Sequence, residues 1–483
     1  MPPSGNVADL FSFLWRRLDE VRDDFINDGW PESPRSQIKR LTASIGAAQP
    51  GTIPAALLNR LGLADPPIDS PPLPRLSPQQ ARDYLLVAKA IDLWFKDLHP
   101  RYPARPLAFP RAQRYYRELR RSTGRYNSSQ DEWVVPKAPL RPEAIAPAVD
   151  VSHLHGQFYF LSLARPLLGA HKIDVNVWEY ATDLKPVDTV LRIAFIPLAE
   201  RRDDLNFDAS MVRSTFYLDV KPADEQMMAD RAAAAIEAAC RLDAHICMLP
   251  ELCVSPMIAE RIQKILTTCG VASELRLVVA GSGLHPADGA TGNHNECHVF
   301  DRAGRVRWRQ PKINAYAMAH ERIVDFGLTP AGAGSHLEHI RPGGTLHIQE
   351  SAGLGRMMVL ICEDLMQADP GRHAREAFPP DWVFSPILDG SIEPGRWVHQ
   401  KGFEIAAESH CRVVVANSLT LNARKGGVGV CNFGLCIDDA ETRRVELVHA
   451  PAVTGLSPVV VCVDWKPLAW GKSTLGIAIT PAA

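Results

Sequence analysis

Apolar residues near the start of the chain follow a helical rhythm. Val7, Leu10, Phe11, Leu14, Leu18, Val21 and Phe25 recur at three- and four-residue intervals and form one apolar stripe. The segment ADPPIDSPPLPRLSP (64–78) is too rich in proline for a helix or strand interior. Ser77 is placed to cap a helix that starts at Pro78 and runs to about Asp97. A third segment, 111–121, carries Arg111, Arg114, Arg117, Arg120 and Arg121 around Tyr115 and Tyr116. It reads as a solvated helix face or an interface. A nucleic-acid surface is the alternative, because it needs basic and stacking groups together.

From about residue 190 the rhythm changes to short β-rich runs between helical stretches. LRIAFI (191–196), HICML (245–249), LRLVVA (275–280), RMMVLI (356–361), 382–384, RVVVA (412–416) and 458–463 read as strands. Residues 224–242 are alanine-rich and helical, and ECHVF-DRAG-RVRW reads as a hairpin. A second hairpin is expected over 432–437 and 444–448. This alternation predicts an α/β layered domain with a mixed sheet. The expected organisation is a helical, proline-rich region at 1–150, a transition or linker at 151–189, and a catalytic domain at 190–483.

Composition supports the division. Residues 1–150 hold 20 of the 39 prolines, no cysteine and a net charge of +4, against −6 for the remainder. The total of −2 provides no global field for nucleic acid or anionic membrane. No apolar run reaches the ~18–20 residues that span a bilayer. The opening MPPSGNVADLF has no basic stretch followed by an apolar one, so no secretory signal is expected. Ten cysteines in 483 residues are ordinary usage and suggest free thiols in a reducing, cytoplasmic setting.

Three strand ends carry reactive side chains. Glu251 follows a strand and a proline in HICMLPEL, Lys312 follows the hairpin in RWRQPKINAY, and Cys362 stands where the strand RMMVLI gives way to a helix-starting sequence. Ligands of open α/β sheets bind at strand carboxyl ends. A thiol must lose its proton to attack, a carboxylate can take it, and an ammonium can stabilise charge developing on a carbonyl oxygen. The N-terminus of the following helix is expected to favour the thiolate of Cys362. Each residue alone has an ordinary structural reading. Together they describe acyl transfer through a thioester.

These segments resemble the carbon–nitrogen hydrolase, or nitrilase, superfamily over about 190–483. LRIAFIPLA, LPEL, NHNECHVFDRAGRVRWRQPKIN, VLICEDL, DWVFSPILDG and EIAAESHCRVVVANS occur in the family's order. The resemblance implies a four-layer α-β-β-α sandwich, often paired into homodimers through the hydrolase domain. It implies Glu251 as base, Lys312 as oxyanion stabiliser, Cys362 as nucleophile and the N–H of Glu363 as a second oxyanion donor. An auxiliary glutamate is expected, with Glu321 the nearest candidate. The CED triplet is most like glutaminase-type amidases, which favours a small-molecule amide or carbamoyl substrate and requires no cofactor. Asp389 and Arg396 are candidates for recognising a charged substrate, or belong to a surface loop. Beside this amidase reading stand acyl transfer to an amine, and an adaptor or regulatory protein whose residues 1–150 bind a protein or nucleic acid.

Other chemistry recedes. GKST at 471–474 has Lys466 where a phosphate-binding loop needs glycine. Cys431 and Cys436 lack the paired spacing of a zinc site. Asn295, Glu296, Cys297 and His298 are consecutive on a strand, so their alternate side chains point to opposite faces and cannot converge on one metal, and no metal is expected.

Overall fold

The computed structural model describes residues 6–25, 31, 33–63, 74–98, 133–136, 154–158, 160–164, 167–168, 171–178, 190–287, 289, 292–351, 354–409, 411–426, 431–438, 445–449, 458–467 and 473–478. The basic segment at 111–121 lies outside the described residues, as does much of the proline-rich stretch.

The expected layers are present. One sheet has seven strands in the spatial order Val306–Pro311, Asn293–Asp301, Leu277–Pro286, Ile246–Met248, Leu191–Phe195, Val461–Pro467 and Ser473–Ala478. The second has eight: Val445–His449, Asn432–Ile437, Arg412–Ala416, Trp382–Pro386, Gly355–Val359, Thr345–Ser351, His171–Trp178 and Leu167–Leu168. Parallel and antiparallel neighbours occur in each, which makes both sheets mixed. Alternation decides what each face meets. Ile193, Phe195, Met248, Val279, Cys297 and Val299 join Met357, Trp382, Phe384 and Val414 in the core between the sheets. Ala194, Cys247, Val278 and Ala280 turn the other way and pack on Ala232, Ile236, Ile258 and Ile262 of the helices Glu225–Arg241 and Pro256–Ile265. A further four-stranded sheet places His336–Glu338 between Ala317–Met318 and Thr215–Pro222.

The amino-terminal helices are Val7–Asp19, Arg35–Ala47, Ala55–Leu61 and Pro78–Leu98. Ser77 caps the last as expected: its Oγ accepts from Gln80 N at 3.3 Å, and Gln80 Oε1 accepts from Ser77 N at 2.9 Å. These helices share the core of the sandwich. Phe158 packs on Phe11 and Trp15 with ring centroids 5.1 and 5.2 Å apart. The buried Asp92 carboxylate accepts from Phe160 N at 2.9 Å and Leu161 N at 2.6 Å.

The linker reading of 151–189 is therefore corrected in part. His171–Trp178 pairs in parallel with Thr345–Ser351 over seven residues, from Lys172↔Thr345 to Trp178↔Ser351. The alternating pattern HKIDVNVW carried that signal: Ile173 and Val175 are buried between more polar neighbours.

Candidate active site

Glu251 lies just past the strand Ile246–Met248, on a tight backbone. Leu252 has φ +58° and is buried, and Gly281 on the neighbouring strand (φ +65°) lies so close that a Cβ there would be 2.0 Å from the Pro250 carbonyl oxygen. Cys362 lies past Gly355–Val359, at the entry to the short helix Glu363–Met366, with φ +47° and ψ −100°. A non-glycine residue in this region costs on the order of 1–3 kcal/mol and persists where the surroundings enforce it. Here Cys362 N donates to Pro386 O at 3.0 Å, and Leu365 N donates to Cys362 O at 2.9 Å.

The acid and the amine meet, and the thiol lies close enough to both to feel their charge. Lys312 Nζ donates to Glu251 Oε1 at 2.7 Å and to Glu338 Oε2 at 2.5 Å. The Cys362 thiol is electrostatically coupled to Glu251 and Lys312. Asn295 Nδ2 bridges both carboxylates, at 3.0 Å to Glu251 Oε1 and 2.7 Å to Glu338 Oε1. Asn295 also accepts Lys312 N through its backbone oxygen at 2.7 Å. Lys312, Glu251 and Glu338 are exposed by only 1%, 2% and 8%, so every charge is held by the others rather than by water.

Burial pushes the Glu251 carboxyl up to about 7, with Lys312 pulling it down and Glu338 adding to the rise. Burial alone would lower Lys312, but the two carboxylates reverse this and hold its pKa well above the usual lysine value. Burial and then Glu251 raise the Cys362 thiol well above its ordinary range, against the pull of Lys312. Burial and the carboxylates thus act against the thiolate that the four-residue helix was expected to favour.

Glu321 does not reach this cluster. It lies exposed in the first turn of His320–Asp325. The second carboxylate on Lys312 belongs to Glu338, which the strand His336–Glu338 carries inward. Tyr316 N donates to Glu338 Oε2 at 3.2 Å, and Glu338 N to Tyr316 O at 2.8 Å. Sequence reasoning missed Glu338 because 26 residues and a turn to another sheet separate it from Lys312. It also missed Asp364, which accepts Asn314 N at 2.8 Å and Ile313 N at 3.2 Å and ties the lysine loop to the nucleophile turn.

Asp389 is near the site but internally engaged. Its carboxylate accepts Arg322 Nη2, Trp397 Nε1 at 2.6 Å and Gly390 N at 2.7 Å. Arg396 is exposed and pairs with Glu393 at 3.4 Å, so it belongs to a surface loop and not to the site. The backbone N–H of Glu363 opens the helix beside Cys362. Among the described residues no helix is long and apolar enough to cross a membrane.

No family model and no curated protein matches the sequence. Solved structures do match. Saccharomyces cerevisiae Nit3, a member of branch 10 of the nitrilase superfamily, is 14% identical, with 58% of this chain and 92% of that chain covered and a TM-score of 0.38. An amidase from Nesterenkonia sp. is 17% identical, with 57% and 89% covered and a TM-score of 0.37. Glutamine-dependent NAD+ synthetase from Acinetobacter baumannii is 16% identical, with 57% and 45% covered and a TM-score of 0.36. At these identities and TM-scores the likenesses carry no argument, and the chemistry of the site rests on its own geometry.

Proposed function

We propose that the chain is a thiol-dependent hydrolase that cleaves a non-peptide carbon–nitrogen bond in a small amide or carbamoyl compound. One observation carries this reading: a thiol in a strained strand-to-helix turn, electrostatically coupled to a buried carboxylate that an equally buried lysine holds.

The roles follow from proton and charge accounting. Glu251 takes the Cys362 proton as sulfur attacks the amide carbon, and a base near 7 suits that transfer at neutral pH. A lysine ammonium has three donors. Two are committed to Glu251 and Glu338, which leaves one for the oxygen that becomes negative. The Glu363 N–H would be the second donor. Protonated Glu251 then gives its proton to the departing nitrogen, and the C–N bond breaks to leave a thioester. Glu251 next deprotonates water, whose oxygen displaces sulfur and releases the acid. Glu338 and Asn295 position the pair without touching the reacting atoms. Arg322, held by Asp389 and electrostatically coupled to Cys362, replaces Arg396 as the cation that would meet an anionic substrate group.

The test is ammonia or amine release from a panel of linear amides and carbamoyl compounds by the full chain. Turnover by the native chain that C362A and C362S both lose supports the reading. Equal turnover by native chain and C362A would overturn it.

A further inference from the structure

Three metal-ligating side chains gather on the face of the seven-stranded sheet opposite Asn295 and Cys297. Glu296 and His298 are two residues apart on Asn293–Asp301, so their side chains share a face. This amends the expectation that the run 295–298 has no metal-ligating geometry. Alternation removes Asn295 and Cys297 from that face, and the neighbouring strand supplies His285 in their place. The ligating atoms of His285, Glu296 and His298 all lie within 4.8 Å of one another. His298 Nε2 is 2.7 Å from Glu296 Oε1, and the two imidazole centroids are 4.3 Å apart.

The second observation concerns orientation. His285 Nε2 is 3.0 Å from the Val254 carbonyl oxygen. A carbonyl only accepts, so this nitrogen carries the hydrogen and Nδ1 carries the lone pair. A ring N–H fixed on a backbone carbonyl is the usual support of a metal-bound histidine. The nearest competing cation, Arg309, lies 4.0 Å from Glu296 on an edge strand and is more than half exposed, free to turn toward solvent.

We propose that His285, Glu296 and His298 form a binding site for one divalent transition-metal ion of the zinc class. Two imidazoles and one carboxylate suit zinc or cobalt better than calcium or magnesium, and water completes the coordination. Metal–nitrogen bonds of about 2.0–2.1 Å require the side chains to draw in by roughly 1 Å. The ion would fasten Val254, at the entry to the helix Pro256–Ile265, to the strand whose opposite face presents Asn295. It plays no part in the thioester chemistry.

The test is a calorimetric titration of the full chain carrying C362A with Zn2+, repeated with Co2+ and read by its visible spectrum. C362A removes the catalytic thiol as a competing ligand. The expected result is one equivalent bound with a Kd on the order of 1 µM or tighter, a cobalt spectrum without thiolate charge transfer, and at least tenfold weakening in each of H285Q, E296Q and H298Q. E296Q keeps the size and polarity of the side chain and so guards against loss through misfolding. No saturable binding, a thiolate signature in the cobalt spectrum, or affinity unchanged by all three substitutions would overturn the proposal.

Discussion

Glu251 combines burial, a cation and a second carboxylate, and its proton affinity near 7 sets the pH response of the site. If the ionised form is the base, kcat/KM rises with pH through an apparent pKa of about 7. Glu338 adds to the upward shift of Glu251, so E338Q is expected to move this limb to lower pH while lowering kcat on the order of 10²-fold as Lys312 loses its position. A pH–rate profile of the native chain and E338Q checks both effects, and a limb that stays or moves upward would contradict them. K312M removes an oxyanion donor and should lower kcat by about 10²–10³-fold, measured at saturating substrate. The three reactive residues were legible because each follows a strand in a short, characteristic segment. Glu338 was not, since SHLEHI has no feature that separates an inward glutamate from a surface one. Glu321 and Arg396 had the right charges, but helix and loop geometry turn both to solvent.

Between elements, the site depends on close backbone approach. The strand Leu277–Pro286 passes so near the Glu251 loop that a Cβ at Gly281 would lie 2.0 Å from Pro250 O, on a residue whose φ is +65°. A Cβ at Gly283 would lie 2.0 Å from Val254 O. Positive φ costs a non-glycine residue ~1–2 kcal/mol, and forcing extra atoms into a packed region costs about 1–3 kcal/mol more. G281A is therefore expected to lose at least about 2 kcal/mol of stability in denaturant unfolding. A loss under 0.5 kcal/mol would show that this approach is relaxed. By sequence GSG reads as a loop, yet it lies inside the strand Leu277–Pro286. That two of its positions face the backbone of a loop some thirty residues earlier is a property of the folded sheet. The strands and hairpins of the sandwich were readable because apolar runs and turn residues are local signals. The order in which they pair is not.

Across the whole molecule, the amino-terminal region is part of the sandwich rather than an appendage. Its helices share one core with the eight-stranded sheet, and His171–Trp178 is a strand of that sheet. A chain beginning at residue 190 would expose the pairing edge of Thr345–Ser351 and the apolar surface beneath the helices. It is expected to aggregate or to melt well below the full chain, as gel filtration and thermal unfolding would read. A monodisperse fragment with unchanged Tm would show that 190–483 is an independent unit. Composition had marked the first 150 residues as different in kind, and the difference is real in secondary structure. It said nothing of the shared core, because Phe11, Trp15 and Phe158 find one another only in three dimensions.

The most direct test of the thiol mechanism is mass spectrometry of the intact chain, quenched in acid during turnover of an amide, followed by peptide mapping. The account predicts an added mass equal to the substrate's acyl group on the peptide containing Cys362, absent in C362S and accumulating when water attack is slowed. Steady turnover with Cys362 unmodified at every quench time, and undiminished in C362S, would contradict it.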